Sequence, residues 1–332
     1  MTIRRVLLAA LLIAHTASAY ALDIILTNDD GFETANIRAL HERLTAAGHN
    51  VRIAAPTQNN SGRGGFVEFL RPLTPLARAS RYGAASVGAP GVGADPSNAQ
   101  VFYVDSTPVA ALLYGLDVVA QKAFGHQPDL VISGPNEGNN TGMVNISSGT
   151  VANALYAINR GIPAIAVSDN RTGSRAHTAL QPGDIEFEVA DIVVGLVQRL
   201  ERAKRGHRDT PLLPQGLGLN VNIPAFAVGT GRTLRMAPSR MGVATAFAPV
   251  FFERLSDSAV ARGVGLNLPL PGVSIVGRGE TPPAGVELPQ DTRRSSEQNV
   301  IERGLISITV IQGVPQAERV LESLLGGERE HR

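Results

Sequence analysis

Leu22-Asp23-Ile24-Ile25-Leu26-Thr27-Asn28-Asp29-Asp30-Gly31 is a short apolar run that ends in two carboxylates and a glycine. It reads as a buried strand followed by a turn. Beyond it, Ile37, Leu40 and Leu44 recur at helical spacing between Thr34 and Ala47, and Gly48 stands where the helix would end. Val51 to Ala55 forms a second strand, stopped by Pro56. Strand, helix and strand in that order make a βαβ unit, and successive units imply a parallel sheet covered by helices.

The alternation continues along the chain. Strands are expected over 101–104, 129–133, 162–168 and 217–223, and helices over 108–122, 150–159 and 185–202, with Ser106-Thr107 opening the first of these helices. The expected fold is a doubly wound, Rossmann-like α/β domain, with a mostly parallel sheet in three layers. Two regions break the pattern. Residues 80–100 are rich in Gly, Ala, Ser and Pro and read as a mobile loop or a poorly ordered insertion. Residues 233–311 carry short β-like runs, with Pro and Gly concentrated around 269–290, and suggest extended arms or hairpins. A closing helix is expected over 314–325.

The whole chain has 332 residues, of which 43% are hydrophobic and 18% charged, so it can bury a sizeable core. Gly 35 and Pro 21 follow no fixed period, which excludes collagen. There is no cysteine, which removes disulfides, thiolate metal sites and cysteine nucleophiles together. Arg4 and Arg5, the apolar run Val6 to Ala14, and the small residues of Ala17-Ser18-Ala19 or Ala19-Tyr20-Ala21 have the layout of a secretory signal peptide. The run is shorter than the ~20 residues that cross a bilayer. Net charge is +1 from 30 basic and 29 acidic residues, and losing the two leader arginines makes it −1. Binding of a nucleic-acid duplex through bulk charge is not expected, nor is membrane attachment after leader removal. The mature protein is expected to be periplasmic or secreted.

In open α/β sheets ligands bind beyond the carboxyl ends of the strands, and three polar loops fall there. Thr27-Asn28-Asp29-Asp30-Gly31 offers adjacent carboxylates suited to a hard cation such as Mg²⁺ or Mn²⁺, unless one Asp merely caps the next helix. Pro56 to Gly65 contains Ser61, an oxygen donor, among glycines that let backbone approach a ligand; a solvated turn is the plainer reading. Ser133-Gly134-Pro135-Asn136-Glu137-Gly138-Asn139-Asn140 leads on to Ser147-Ser148-Gly149-Thr150 at a helix start. Such a helix start is an anion site, or simply a capped end. The histidines show no HxH or HExxH spacing, and neither a GxSxG elbow nor a complete Walker loop is present.

These loops together resemble the SurE family of survival proteins. The resemblance rests on Ile25 to Gly31, Ala55-Pro56 with Asn60-Ser61-Gly62, Ser133 to Asn136 with Gly138 and Asn140, and Ser148-Gly149-Thr150-Val151, in family order. Leu219-Asn220-Val221-Asn222-Ile223-Pro224 is similar to a later core strand, and 295–309 more weakly so. The resemblance implies a metal-dependent nucleotidase with one divalent ion per subunit, Mg²⁺ or Mn²⁺, held by Asp29, Asp30, Ser61 and Asn136. It implies that Asn140, Ser148, Gly149 and Thr150 lie against the substrate phosphate, and that exchanged C-terminal arms build a homodimer or homotetramer. The domain boundaries that follow are a leader over 1–21, a core over 22–232, and arms with a closing helix over 233–326. Three features depart from the family pattern: Val109-Ala110-Ala111 after Thr107-Pro108 in place of an Asp-Cys pair, Glu297 where Asp is common, and the leader itself.

The expected reaction is hydrolysis of a nucleoside monophosphate to nucleoside and phosphate by metal-activated water, with Asp29 or Asp30 orienting or deprotonating that water. Two other readings compete. A dehalogenase-type phosphatase needs a second Asp two positions after its nucleophile, where this chain has Gly31. An exported binding protein for a nucleotide or sugar would carry two α/β lobes, whereas one set of βαβ units is visible.

Overall fold

The computed structural model describes residues 21–170, 174–204, 211–288 and 290–313. The expected closing helix over 314–325, and all but the last residue of the expected leader, lie outside them. In chain order the elements are β1 Asp23–Thr27, α1 Ala35–Ala46, β2 Asn50–Pro56, β3 Val92–Asp95, β4 Asn98–Val104 and α2 Pro108–Tyr114. A π-helical turn over Gly115–Val119 joins α2 to α3, Ala120–Ala123. There follow β5 Leu130–Glu137, α4 Gly149–Asn159, β6 Ala164–Asp169, α5 Ile185–Ala203 and β7 Leu217–Ile223. The last are β8 Met236–Pro238, β9 Phe247–Phe252, α6 Ala259–Gly263, β10 Gly272–Gly277, α7 Glu297–Ile301 and β11 Ile306–Gln312.

The main sheet has nine strands in the order β3-β4-β2-β1-β5-β6-β7-β11-β8. From β4 to β7 every neighbour pair is parallel, while β3 and β11 run antiparallel to β4 and β7. The apolar continuity of β1 follows from coverage on both faces. Ile24 and Leu26 point to a core shared with Leu40 and Leu44 of α1 and Val193 of α5. Ile25, between them, points the other way to Leu112 of α2 and Ala154 of α4. Helices therefore sandwich the sheet, the expected three layers.

The chain winds outward through β2 and β4 on one side of β1, and through β5, β6 and β7 on the other. The order reverses between β1 and β5, and the crevice beyond their carboxyl ends is where such sheets hold ligands.

Two expectations need correction. Residues 80–100 are not a poorly ordered insertion. Leu76 and Ala85 are buried in the main core, Ser80 and Ala85 close a turn, and β3 pairs with β4 as an edge strand. A few well-placed apolar anchors and backbone hydrogen bonds order a segment whose composition looks flexible. The sheet also extends past residue 232, because β8 and β11 complete it. Within 233–311, β9 and β10 pair antiparallel as a separate two-stranded sheet.

Candidate active site

The turn after β1 is locked from within. Asn28 Nδ2 donates to the Gly31 carbonyl at 3.0 Å and to Thr34 Oγ1 at 3.2 Å, and Gly31 N–H donates to Asn28 Oδ1 at 3.1 Å. Thr34, at the N-cap of α1, gives its hydroxyl to Gly31 O and makes no capping bond to the helix. Neither Asp29 nor Asp30 is the helix cap. Both carboxylates are left for the crevice floor, with only 3% and 2% exposure.

Strand β5 supplies the next group. Its register against β6 shifts between Ser133 and Asn136, where the Gly134-Pro135 peptide is cis. Gly134 has φ +113°, and a Cβ there would lie 2.2 Å from the Val167 carbonyl oxygen, so no side chain fits. Beyond this bulge the strand resumes pairing, with Asn136 beside Ser168 and Glu137 beside Asp169. Glu137 N–H donates to Asp30 Oδ2 at 3.3 Å, which ties the ends of β1 and β5 together. Asn136 is buried; its Nδ2 donates to Gly138 O at 2.8 Å, while its Oδ1 has no partner among the described residues.

Helix α4 closes the third side. Ser148 caps it, its Oγ accepting from Val151 N–H at 3.1 Å. The main-chain amides of Gly149 and Thr150 have no acceptor among the described residues, the arrangement that favours an anion at a helix N-terminus. Thr150 Oγ1 donates to Asp29 Oδ1 at 2.7 Å, so its side chain serves the carboxylate and leaves the amide to face a ligand. Gly149 packs so tightly that an added Cβ would sit 2.7 Å from Asp29 Cβ.

The β2 loop approaches from the remaining side. Asn60 N–H donates to Asp29 O at 2.7 Å, and Asn59 Nδ2 reaches Asp30 Oδ1 at 3.5 Å. Ser61 is exposed on this loop, and its hydroxyl has no partner among the described residues. Asn140 lies deeper. Its N–H donates to Asn222 Oδ1, its carbonyl accepts from Asn220 and Asn222, and its Nδ2 donates to Ser168 Oγ at 2.8 Å. These bonds make Asn140 a framework residue for the loop between β5 and α4.

Burial raises the proton affinity of Asp29, partly offset by the Thr150 bond. Asp30 is pushed well above the usual carboxylate range, first by burial and then by the charges of Asp29 and Glu137. A buried pair of this kind is a site short of positive charge. The unpartnered Asn136 Oδ1 beside it is a second sign that an oxygen-seeking cation fits, and the donor set is purely oxygen. Among the described residues no cluster of three or more His, Cys, Asp or Glu forms a metal site. The fit therefore depends on two carboxylates supplemented by neutral amide and hydroxyl oxygens.

Three participants escape a sequence reading. Arg81, from the segment taken for an insertion, donates from Nη1 to Asp30 O at 2.7 Å. Glu33, fully buried, holds that segment by accepting from Tyr82 N–H and Ala84 N–H. Glu297 of α7, also fully buried, accepts from Gly142 N–H, Asn145 Nδ2 and Asn220 Nδ2 and so ties the C-terminal region to the loop before α4. Only Glu297 left a trace, as a departure from the family pattern.

Among known proteins, the chain is 38% identical to an acid phosphatase of Yarrowia lipolytica over 205 residues, which cover 60% of this chain and 56% of that one. It is 33% identical to the 5'-nucleotidase SurE of Gloeobacter violaceus over 203 residues, covering 61% and 64%. The matched region thus spans about three fifths of each of these relatives. The crystal structure of the SurE protein from Aquifex aeolicus superposes with a TM-score of 0.62 at 24% identity, covering 92% of this chain and 99% of that one, which shows a shared fold. The family profile of survival protein SurE matches residues 24–245, from β1 to just past β8, and takes in all four walls of the crevice. The chain belongs to the SurE family.

Proposed function

We propose that this protein is a divalent-metal-dependent phosphomonoesterase that hydrolyses nucleoside monophosphates to nucleoside and phosphate. The observation that carries this reading is the meeting, at one strand crossover, of buried Asp29 and Asp30, the unpartnered Asn136 Oδ1 and the free amides opening α4. Asp29, Asp30, Asn136 and Ser61 would hold the cation, and the oxygen-only set favours Mg²⁺ or Mn²⁺. When bound, such an ion supplies Lewis acidity and a water of lowered pKa.

The protein's own groups do the rest. The amides of Gly149 and Thr150, at the positive end of α4, bind phosphoryl oxygens and stabilise the charge that develops on them. Thr150 holds Asp29 in one orientation, and Glu137 N–H and Asn59 hold Asp30. Asp29 or Asp30 orients the attacking water or takes its proton on a carboxylate oxygen. Asn140 fixes the loop between β5 and α4 and so sets the distance between the carboxylates and the phosphate turn.

The phosphatase and nucleotidase names of the two relatives support the reaction class. The leader pattern of the first 21 residues supports export to the periplasm or beyond. The separate β9–β10 pair, with Phe251 and Val273 exposed, supports assembly into a homodimer or homotetramer. The test is phosphate release from a panel of nucleoside monophosphates and p-nitrophenyl phosphate with Mg²⁺, Mn²⁺ or chelator, alongside Asp30→Asn. Release that needs metal and vanishes in Asp30→Asn supports the assignment. Tight nucleotide binding without release under any condition would establish an exported binding protein instead.

A further inference from the structure

We infer that Arg81 is a phosphate-contacting residue of this site, a preformed cation that completes the charge balance which a divalent ion alone leaves open. The inference rests on the function proposed above. Its starting point is charge: Asp29 and Asp30 bring two negative charges, a phosphomonoester brings about two more near neutral pH, and one divalent ion supplies two positive. Two carboxylates and a phosphate facing one divalent ion leave the complex short of cation.

Among the described residues, Arg81 brings a guanidinium into contact with the carboxylate turn, and how it makes that contact is informative. Nη1 donates to the main-chain carbonyl of Asp30 at 2.7 Å, and no ion pair with either carboxylate forms. The carboxylates keep their oxygens for a metal. An arginine carries five N–H donors, and the others of Arg81 have no acceptor among the described residues and are not sealed from solvent. Free donors in a planar fork, held at the edge of a buried anionic site, match two oxygens of a phosphate.

The group is also delivered with care. Arg81 N–H donates to Thr57 O at 2.9 Å, Gln58 Nε2 donates to Ala79 O at 2.8 Å, and Ser80 and Ala85 close the turn that carries it. Buried Glu33 accepts from Tyr82 N–H and Ala84 N–H at 3.0 and 2.7 Å, directly after the arginine. The guanidinium lies 5.4 Å over the Tyr82 ring, which steadies it further. Arg63, on the β2 loop, is by contrast exposed, and its side chain has no partner among the described residues. A purely structural arginine would satisfy its fork within the protein. This one uses a single donor to stay in place.

The experiment measures inorganic phosphate binding by calorimetry in the presence of Mn²⁺, together with kcat and KM for AMP, on wild type, Arg81→Met and Arg81→Lys. Mn²⁺ affinity and unfolding midpoint are recorded for each. Arg81→Met should bind phosphate at least about tenfold more weakly and lose about 10²-fold in kcat/KM, with Mn²⁺ affinity kept. Arg81→Lys, which keeps a charge and a donor but not the fork, should fall between, and added guanidinium should restore part of the activity of Arg81→Met. Unchanged phosphate affinity in folded Arg81→Met overturns the inference and leaves the phosphomonoesterase reading intact. A wild type that neither binds phosphate nor releases it from AMP overturns both.

Discussion

Gly149→Ala tests how tightly the phosphate turn and the carboxylate pair are geared together. The added methyl would lie 2.7 Å from Asp29 Cβ and 3.1 Å from both Cγ and Oδ2. Ordinary carbon–carbon contact is about 3.5–4.0 Å, so the overlap to be relieved is about 1 Å. Asp29 cannot yield: Thr150 holds its Oδ1 at 2.7 Å, Asn60 N–H holds its carbonyl at 2.7 Å, and it is 3% exposed. The start of α4 must move instead, carrying the amides of Gly149 and Thr150 with it. Overpacking of this kind costs about 1–3 kcal/mol, read as a lower midpoint in urea with chelator present. A misplacement of about 1 Å among reacting groups costs about 10²-fold in turnover, read as kcat for AMP with saturating Mn²⁺. Gly195→Ala in α5, where the new methyl meets nothing within 4 Å beyond its chain neighbours and its own helix backbone, is the matched control and should stabilise by about 0.5–1 kcal/mol. A Gly149→Ala protein with wild-type midpoint and turnover would refute the gearing.

Other outcomes follow from the same geometry. Asn136→Ala should lower Mn²⁺ affinity at least about tenfold by titration, yet reduce stability in chelator by only about 1 kcal/mol, since Oδ1 has no partner to lose. Glu297→Ala strips Gly142 N–H and Asn145 Nδ2 of their acceptor and should cost about 2–5 kcal/mol in urea, with Glu297→Gln losing less. His41 is held neutral, its pKa lowered to about 4, mainly by burial and next by the charge of Arg38. Its contribution is complete above the ordinary histidine value of 6.5 and is lost as pH falls through about 4. His41→Gln should therefore flatten the acid limb of the stability curve between those values, by up to roughly 3 kcal/mol.

Much of the fold was legible because its signals are local. The expected strand over 217–223 matches β7, and the helix over 185–202 matches α5 to within a residue. The expected strand over 129–133 ends early because a Gly-Pro pair normally stops a strand; here a bulge absorbs it and β5 runs on to Glu137. The helix over 108–122 forms with a π-turn where Gly115 meets Ala54 and Ile25. The 80–100 segment misled for the converse reason: its order comes from Glu33, Thr57 and the main core, all distant in sequence.

The sequence by itself determined the class of fold and the chemistry on offer. Strand–turn–helix periodicity is written locally, and so is the placement of Asp29, Asp30, Asn136 and Ser148-Gly149-Thr150 at strand ends and a helix start. Tertiary structure alone decided what each group does there. Thr150 turns its hydroxyl to Asp29, Asn140 gives its amide to Ser168, Asn136 is left with a buried, unpartnered oxygen, and Arg81 arrives from a segment that local pattern could not interpret. Hydrogen-bond partners are allotted by groups that meet only once the sheet has formed, across separations of 28 to 121 residues for the first two of these bonds. Residue type and spacing carry no record of that choice.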